Sequence, residues 1–287
     1  MNQLPAPTLE SALQQTRDET GLTTSELRIL MCHITGLNKV GLVSRGKDPL
    51  PMDQLSAFKS LAARRQQGEP IAYLVGHKEF YSRPFLVDPR VLIPRPETEE
   101  LVEHALAFLQ QRATENLLTR VLDIGTGSGA IAVSLALENP ILEVTATDVS
   151  ADALWVAQHN ASTLGAKNLK FIQSDLFAGL LAQNPPLAFD LICSNPPYIE
   201  AGDPHLQQGD LRFEPALALT DHGDGLHFYR QIAQHSPPLL RSGGGVIVEH
   251  GHTQQAQVMQ LFQHAGFARV QGLPDLAGTP RFVFAQV

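Results

Sequence analysis

The stretch VLDIGTGSGAIAV (121–133) decides the fold class of this chain of 287 residues. It runs from apolar residues typical of a buried strand, through Gly125, Gly127 and Gly129, into residues that favour a helix. Glycine at a strand-to-helix turn permits positive φ and lets the backbone approach a ligand closely. The stretch therefore predicts a ligand-binding turn in an α/β fold, although the glycine pattern alone is also typical of an ordinary tight turn.

Helical and extended segments alternate on both sides of this turn. Strands are predicted over 119–124, 143–148, 169–174, 189–194, 245–249, 268–273 and 281–286, and helices over 98–111, 129–138, 151–164, 225–240 and 254–265. Alternating β and α units predict a Rossmann-like α/β fold, in which a mostly parallel sheet of seven strands carries helices on both faces.

The N-terminal quarter of the chain lacks this alternation. Apolar residues three and four positions apart predict two short amphipathic helices within 8–36 and a third over 53–67. Thr23 and Glu26 match a capping box, and Gly36 stands where the second helix would end. These features predict a small all-α domain.

Residues 76–96 change character again. Apolar positions at Phe80 and Phe85–Val87, and then at Val91–Ile93, are separated by turn-forming residues, which predicts a β-hairpin. We therefore expect a helical domain over 1–75 that docks the substrate, a β-hairpin linker over 76–96 and an α/β domain over 97–287.

Composition and charge exclude several classes of protein. Apolar residues make up 43% of the chain, and no stretch approaches the length of a membrane span, so neither a disordered nor a membrane protein is expected. The formal net charge is −8: residues 1–75 carry 8 Lys+Arg and 7 Asp+Glu (+1), and the remainder carries 13 and 22 (−9). Since DNA-binding surfaces are normally basic, the acidic remainder argues against a DNA partner. Two cysteines and no signal-peptide pattern favour a cytoplasmic location.

Two acidic residues indicate the kind of ligand. Asp123 precedes the first glycine by two residues, and Asp148 ends the second strand, where an acid suits ribose hydroxyls. Capping of the following helix is the alternative role for Asp148. An aspartate beside the glycines would repel a pyrophosphate and attract an ammonium group. This favours S-adenosylmethionine over a nicotinamide dinucleotide.

A second motif, Asn195-Pro196-Pro197-Tyr198, follows the strand over 189–194. The prolines fix φ, so the Asn195 side-chain oxygen and the Pro196 carbonyl can together accept both hydrogens of a planar NH₂ group, on which Tyr198 can stack. An amide or aryl-amine nitrogen is a weak nucleophile because its lone pair is delocalised. Two acceptors restore lone-pair character, and alignment with a sulfonium methyl group contributes several kcal/mol more. The motif predicts methyl transfer to nitrogen; an ordinary strand-ending turn is the alternative.

Together the two motifs resemble class I S-adenosylmethionine-dependent methyltransferases that act on amino nitrogens, either in adenine (N6) or in glutamine (N5). Further segments resemble the peptide chain release factor N5-glutamine methyltransferases, the PrmC/HemK family, over essentially the whole chain. These segments are LIPRPETEELVE (92–103), QSDLF (173–177), NPPYIE (195–200), RFEPALAL (212–219), VEHG (248–251) and DLAG (275–278).

The resemblance implies a class I methyltransferase fold. It also implies that the methyl group of S-adenosylmethionine is transferred to a glutamine side-chain amide, in the GGQ motif of class I release factors. The product of the cofactor would be S-adenosyl-L-homocysteine. In that family Gly125–Gly129 would wrap the methionine part of the cofactor, Asp148 would hold the ribose, and Asp175 and Leu176 would lie beside the adenine. The position of Leu176 is often aromatic in relatives, and Phe177 is a candidate to compensate. The expected cofactor-binding residues are Asp123, Gly125, Thr126, Gly127, Ser128, Gly129, Asp148, Asp175, Leu176 and Asn195. The expected substrate-binding residues are Asn195, Pro196, Pro197 and Tyr198, of which Asn195, Pro196 and Tyr198 are the expected catalytic residues.

The expected partners are class I release factors, with no direct nucleic-acid or membrane binding and with a monomeric enzyme. An adenine-N6 nucleic-acid methyltransferase is the main alternative. Intact motifs argue against a non-catalytic binding protein, and Asp123 argues against an NAD-dependent dehydrogenase.

No metal is expected because HExxH and CxxC spacings are absent. For Glu214 and Glu249, near the site in sequence order, we favour packing or loop anchoring over proton acceptance, and for Cys193 a place in the core.

Overall fold

The computed structural model describes residues 6–112, 118–181 and 187–287. The chain forms two compact units, one ending at His77 and the other beginning at Lys78. From residue 6 to Val75 the regular elements of the first unit are helices, whereas the second unit is built on a β-sheet. No helix of the described ranges is long and apolar enough to cross a bilayer.

The first unit contains the short amphipathic helices that the sequence predicts. Thr23 and Glu26 form the capping box: the Thr23 hydroxyl accepts from the Glu26 N–H, and the Glu26 carboxylate accepts from the Thr23 N–H. Gly36 ends the same helix at φ 70°. Apolar faces of the helices meet in a core around Leu30 and Phe58. The helices are α1 (Leu9–Thr20), α2 (Thr24–Thr35), α3 (Lys39–Ser44), α4 (Met52–Gln66) and α5 (Ile71–Val75), of which α3 and α5 were not predicted.

The second unit begins with a hairpin and continues as alternating helices and strands. Its strands are β1 (His77–Phe80), β2 (Arg83–Leu86), β3 (Arg120–Ile124), β4 (Glu143–Asp148), β5 (Leu169–Gln173), β6 (Phe189–Ser194), β7 (Leu240–Glu249), β8 (Arg269–Pro274) and β9 (Pro280–Gln286). Its helices are α6 (Thr98–Arg112), α7 (Ala130–Glu138), α8 (Ala151–Leu164), α9 (Ala178–Leu181), α10 (His227–His235) and α11 (Gln255–His264).

Seven strands of the described residues form one sheet in the order β5-β4-β3-β6-β7-β9-β8. Strand β9 runs antiparallel to both of its neighbours, β7 and β8, and the other six strands of this sheet share one direction. From β3 the chain moves outward to β5 and then returns to the other side of β3 with β6, so the sheet has a topological switch point between β3 and β6. Ligands bind at such points in open α/β sheets. Ile124 and Ser194 pair there, which brings the glycine turn beside the Asn195–Tyr198 segment.

The sheet is buried on both faces. Alternate residues of β3 belong to different cores: Val121 packs with residues of α6 and α7, and Leu122 packs with residues of α10 and α11. Cys193 is fully buried and has a free thiol, as the sequence predicts for a core residue. The predicted mostly parallel seven-stranded α/β architecture is confirmed.

Three predicted elements differ from the structure, and one helix of the second unit has no predicted counterpart. The strand predicted over 245–249 begins five residues earlier, at Leu240, and α9 lies where the sequence predicts no helix. The predicted helix 225–240 stops at His235 because two prolines follow, Pro237 and Pro238, which cannot donate the hydrogen bonds that a helix requires. The predicted extended segment Val91–Ile93 does not join the hairpin. Its donors are used elsewhere: Val91 N–H donates to a turn carbonyl, and Ile93 N–H donates to a carboxylate on a distant loop.

Candidate active site

A cavity opens at the carboxyl edge of the sheet, beside the switch point between β3 and β6. It is lined by several of the residues that the sequence singles out: Gly125, Gly127, Asp148, Asp175, Leu176, Asn195, Pro196 and Pro197. Residues outside the two motifs complete the lining. Leu92, Pro215 and Leu217 come from the segments 92–103 and 212–219 that carry the family resemblance, whereas Arg90 and Phe228 come from neither. The structure therefore brings the two motifs together in one cavity.

The three glycines of the turn have different roles. Gly125 and Gly127 have φ of 70° and 55°, and a Cβ added to either would meet no atom within 4 Å. Their backbone is therefore open to a ligand. Gly129 has φ 83°, and a Cβ there would lie 3.1 Å from the Ala157 Cβ, so this glycine allows α7 to pack closely on α8.

Asp148 holds the turn from the neighbouring strand. Its Oδ2 accepts from the Gly127 N–H at 2.9 Å, and its Oδ1 accepts from the Ser150 N–H at 2.9 Å. Burial raises the pKa of this carboxyl, and the backbone donors oppose that rise. Ser150, not Asp148, caps α8, because the Ser150 hydroxyl accepts from the Ala153 N–H. The alternative reading of Asp148 as a helix cap is therefore wrong.

Asp123, Thr126 and Ser128 lie in the core and are not part of the cavity lining. The Asp123 Oδ2 accepts from the Thr126 hydroxyl at 2.6 Å, and its Oδ1 is buried without a partner among the described residues. Burial raises the pKa of Asp123 to about 7. The Ser128 carbonyl accepts from the Asn160 amide, which also bonds both main-chain groups of Leu86. These residues support the turn from inside.

The segment after β5 lines another side of the cavity. Asp175 is exposed there, and Leu176 is half-buried. Leu176 has φ 46°, a left-handed conformation that is uncommon for a residue with a branched side chain. The Ser174 hydroxyl donates to the Leu176 carbonyl at 2.8 Å and stabilises the turn. Phe177 does not compensate for the aliphatic Leu176, because its ring is buried in the core near His235.

Asn195 and Pro196 line the cavity, and each carries an acceptor that no described residue occupies. The Asn195 Nδ2 donates to the Thr98 hydroxyl at 3.2 Å, which directs the amide nitrogen away from the opening. No residue in the described ranges donates to the Asn195 Oδ1 or to the Pro196 carbonyl. A planar NH₂ group carries two hydrogens, so two neighbouring acceptors match it.

Tyr198 lies beside the cavity and is not among its lining residues. Its carbonyl accepts from the Gln254 amide at 2.9 Å, and its ring is half-buried near Gly251. Burial raises the pKa of Tyr198 to about 12, with a smaller contribution from Glu249. The phenol is therefore neutral at ordinary pH.

Glu214 anchors the loop that covers part of the cavity. One carboxylate oxygen accepts from the Ile93 N–H at 3.0 Å, and the other accepts from the Arg95 guanidinium at 2.5 Å. This pair fixes the segment containing Pro215 and Leu217, both cavity-lining residues. Across the ranges that the structure describes, no group of three or more His, Cys, Asp or Glu side chains is placed to hold a metal.

Comparison with known proteins extends these observations over most of the chain. Residues 99–224 match the family model "Methyltransferase small domain", and residues 9–76 match "PrmC N-terminal domain". The chain is 47% identical to the release factor glutamine methyltransferase of Neisseria gonorrhoeae, over 89% of this chain and 90% of that protein. It is 49% identical to that of Bordetella pertussis (91% and 94%) and 43% identical to that of Escherichia coli (89% and 89%).

Solved structures share the fold at low sequence identity. The N-terminal domain of human METTL16 in complex with SAH aligns with a TM-score of 0.53 and 18% identity, over 88% of this chain and 89% of that one. A methyltransferase from Pyrococcus furiosus aligns with a TM-score of 0.51 and 18% identity, over 78% and 96%. The class I methyltransferase fold is thereby confirmed. The identity and the coverage of the curated relatives establish that this chain belongs to the family of S-adenosylmethionine-dependent release factor glutamine methyltransferases.

Proposed function

We propose that this chain methylates the side-chain amide nitrogen (N5) of the glutamine in the GGQ motif of class I release factors. The names of its relatives give the substrate class. The observation that carries the proposal is that Asn195 and Pro196, whose side-chain oxygen and carbonyl have no donor among the described residues, line the same cavity as the open glycine turn. A primary amide supplies the two hydrogens that this pair accepts.

The residues of the turn fit the cofactor. The open backbone at Gly125 and Gly127 would hold the methionine part, and Asp148, whose oxygens retain free lone pairs, would hold the ribose. Asp175 and Leu176 would flank the adenine. S-adenosylmethionine, when bound, supplies an electrophilic methyl group on a sulfonium sulfur. Asp123, Thr126, Ser128 and Gly129 would act indirectly, by supporting the turn.

Asn195 and Pro196 would activate the substrate amide. Two acceptors on its N–H bonds favour a more tetrahedral nitrogen and restore lone-pair character. They also fix the direction of attack, and orientation of this kind contributes several kcal/mol to catalysis. The amide nitrogen held by these acceptors would take the methyl group as its bond to sulfur breaks, and would then release one proton to water. Tyr198 would pack beside Pro197 at the edge of this site.

The helical unit would bind the partner away from the reactive glutamine. Its charge is close to neutral, whereas the remainder of the chain is acidic, so a basic partner surface would be attracted chiefly to the second unit. A second contact on the helical unit would raise the overall affinity by linkage. We propose a monomeric enzyme in the cytoplasm, where release factors act. Raising the salt concentration should slow association with the release factor.

A labelling experiment tests the proposed substrate. The purified chain is incubated with radiolabelled S-adenosylmethionine and, separately, with a class I release factor, with its GGQ-to-GGA variant and with unmethylated duplex DNA. Label in the intact release factor alone supports the proposal and places the methyl group on the glutamine. Label in DNA alone would instead identify an adenine-N6 methyltransferase, and equal label in both release factors would place the methyl group on another residue.

A further inference from the structure

A buried chain of hydrogen bonds runs behind Asn195. The Asn195 Nδ2 donates to the Thr98 Oγ1 at 3.2 Å, and the Thr98 Oγ1 donates to the Glu249 Oε2 at 2.7 Å. Thr98 is the first residue of α6 and is 4% exposed; Glu249 is the last residue of β7 and is 1% exposed. Two separate elements therefore deliver polar side chains to the back of the residue that faces the substrate.

The donor directions in this chain depend on an ionised Glu249. A carboxylate can only accept, so the Thr98 hydroxyl must donate its single proton to it. The Thr98 oxygen is then available to the Asn195 side chain only as an acceptor. Of the two ends of an asparagine amide, only the NH₂ group can donate, so this end faces Thr98 and the oxygen faces the cavity.

We propose that Thr98 and Glu249 are positioning residues, which orient the Asn195 amide and strengthen its oxygen as an acceptor for the substrate amide while Glu249 is ionised. The inference rests on the proposed role of Asn195. Hydrogen bonds in a chain polarise one another, so negative charge at one end makes the acceptor at the other end stronger. The substrate nitrogen gains positive charge as the methyl group is transferred, and a buried anion behind Asn195 stabilises that charge.

The surroundings of Glu249 place its titration in an accessible range. Burial raises the pKa of Glu249 to about 7. Glu97 also raises this pKa, whereas the Thr98 hydroxyl, Arg281 on β9 and the Asn195 amide lower it. Tyr198 and Tyr229 also face this group but remain neutral, because burial raises the pKa of both phenols. The carboxylate is therefore present above this pKa of about 7 and is lost as the pH falls through it.

Protonation removes the constraint on Asn195. A neutral carboxyl can donate to Thr98, which frees the Thr98 proton to point at Asn195, so either end of the amide then satisfies the chain. The bond from Thr98 also loses its charge assistance, and such bonds are about twice as strong as neutral ones. Turnover should consequently fall below pH 7 to a plateau that reflects the neutral form.

The test is single-turnover methylation of a class I release factor by the full chain, with saturating radiolabelled S-adenosylmethionine, between pH 5.5 and 8.5. We expect Glu249→Gln to lower the rate constant at pH 8 by about 10-fold to 100-fold and to abolish the fall below pH 7. Its rate should match the acidic plateau of the unaltered enzyme. Thr98→Val should show a similar loss, and Thr98→Ser should restore most of it.

Tyr229→Phe is the matched control. It removes a buried hydroxyl that donates to the Glu249 main-chain carbonyl at 2.8 Å and leaves the carboxylate chain intact, so it should keep the rate constant and the pH profile. If Glu249→Gln keeps the fall below pH 7, the titration belongs to another group, such as Asp123, and the proposal is overturned. An unchanged rate constant in Thr98→Val also overturns it. Asn195→Ala separates the two hypotheses, because full activity in that variant refutes the role of Asn195 itself.

Discussion

Asn160→Asp tests how the glycine turn is held in place. The substitution keeps the shape of the side chain and the oxygen that accepts from the Leu86 N–H at 2.7 Å. It removes the NH₂ group that donates to the Ser128 carbonyl at 2.8 Å and to the Leu86 carbonyl at 3.0 Å. The change therefore deletes two donated hydrogen bonds at a residue that is 1% exposed and leaves the packing volume unchanged. It also places a carboxylate oxygen, which can only accept, opposite two carbonyl oxygens.

The expected cost follows from the two carbonyls. The Ser128 carbonyl is buried, and leaving a buried acceptor without its donor costs about 1–3 kcal/mol. The Leu86 carbonyl is only partly buried, so water replaces part of that bond and the loss is about 1 kcal/mol. Asn160→Asp should therefore lower the free energy of unfolding of the second unit by at least about 2–4 kcal/mol, because burial of the new charge adds to the two lost bonds. This is a large part of the ~5–15 kcal/mol typical of a domain.

Urea titration followed by tryptophan fluorescence measures this loss. Trp155 is the sole tryptophan of the chain and lies on α8, the helix that carries Asn160, so its fluorescence reports on the second unit. Gln158→Glu, on the exposed side of the same helix, introduces the same charge without touching the turn and is the control. A shift below about 0.5 kcal/mol in Asn160→Asp, comparable with an ordinary surface substitution, would refute the reasoning.

Three further substitutions test separate parts of the site. Gly129→Ala should destabilise the second unit by about 2–4 kcal/mol in the same titration, since it adds backbone strain at φ 83° and a Cβ contact of 3.1 Å with Ala157. An unchanged urea midpoint would contradict the packing role of Gly129. Asp148→Ala should weaken S-adenosylmethionine binding about tenfold or more by calorimetry, because the turn and the ribose both lose an acceptor; an unaltered Kd would exclude Asp148 from the cofactor site. Glu214→Ala should release the loop held through Arg95, and should therefore raise the KM for the release factor more than it lowers kcat. The same KM in the variant and in the unaltered enzyme would show that the loop does not contact the substrate.

Local sequence patterns predicted the fold well because each pattern reflects an interaction between residues that are close in the sequence. The capping box at Thr23 and the stop at Gly36 were predicted from short-range chemistry, and both are confirmed. The glycine turn and the segment beginning at Asn195 follow consecutive sheet neighbours, so strand order brings them together. Family membership and the class of reaction, predicted from these motifs, are confirmed by the curated relatives.

Long-range contacts were beyond the reach of these patterns. Nothing local to Thr98 indicates that its hydroxyl would meet Glu249, 151 residues later in the chain. The burial of Asp123 beneath the turn likewise depends on the packing of α7 and on its bond to Thr126. Phe177 was a reasonable candidate for the adenine contact by sequence distance alone. The left-handed backbone at Leu176 precedes it, and the Phe177 ring lies in the core.

The most direct test of the account is the effect of Asn195→Ala on chemistry and on cofactor binding. We expect the single-turnover rate constant for methylation of a class I release factor to fall about 10²-fold to 10³-fold, as for the loss of a preorganised hydrogen-bonding group in other active sites. The Kd for S-adenosylmethionine should stay within about threefold of the unaltered value, which corresponds to less than ~1 kcal/mol. A rate constant equal to that of the unaltered enzyme would contradict the proposed activation of the glutamine amide by Asn195.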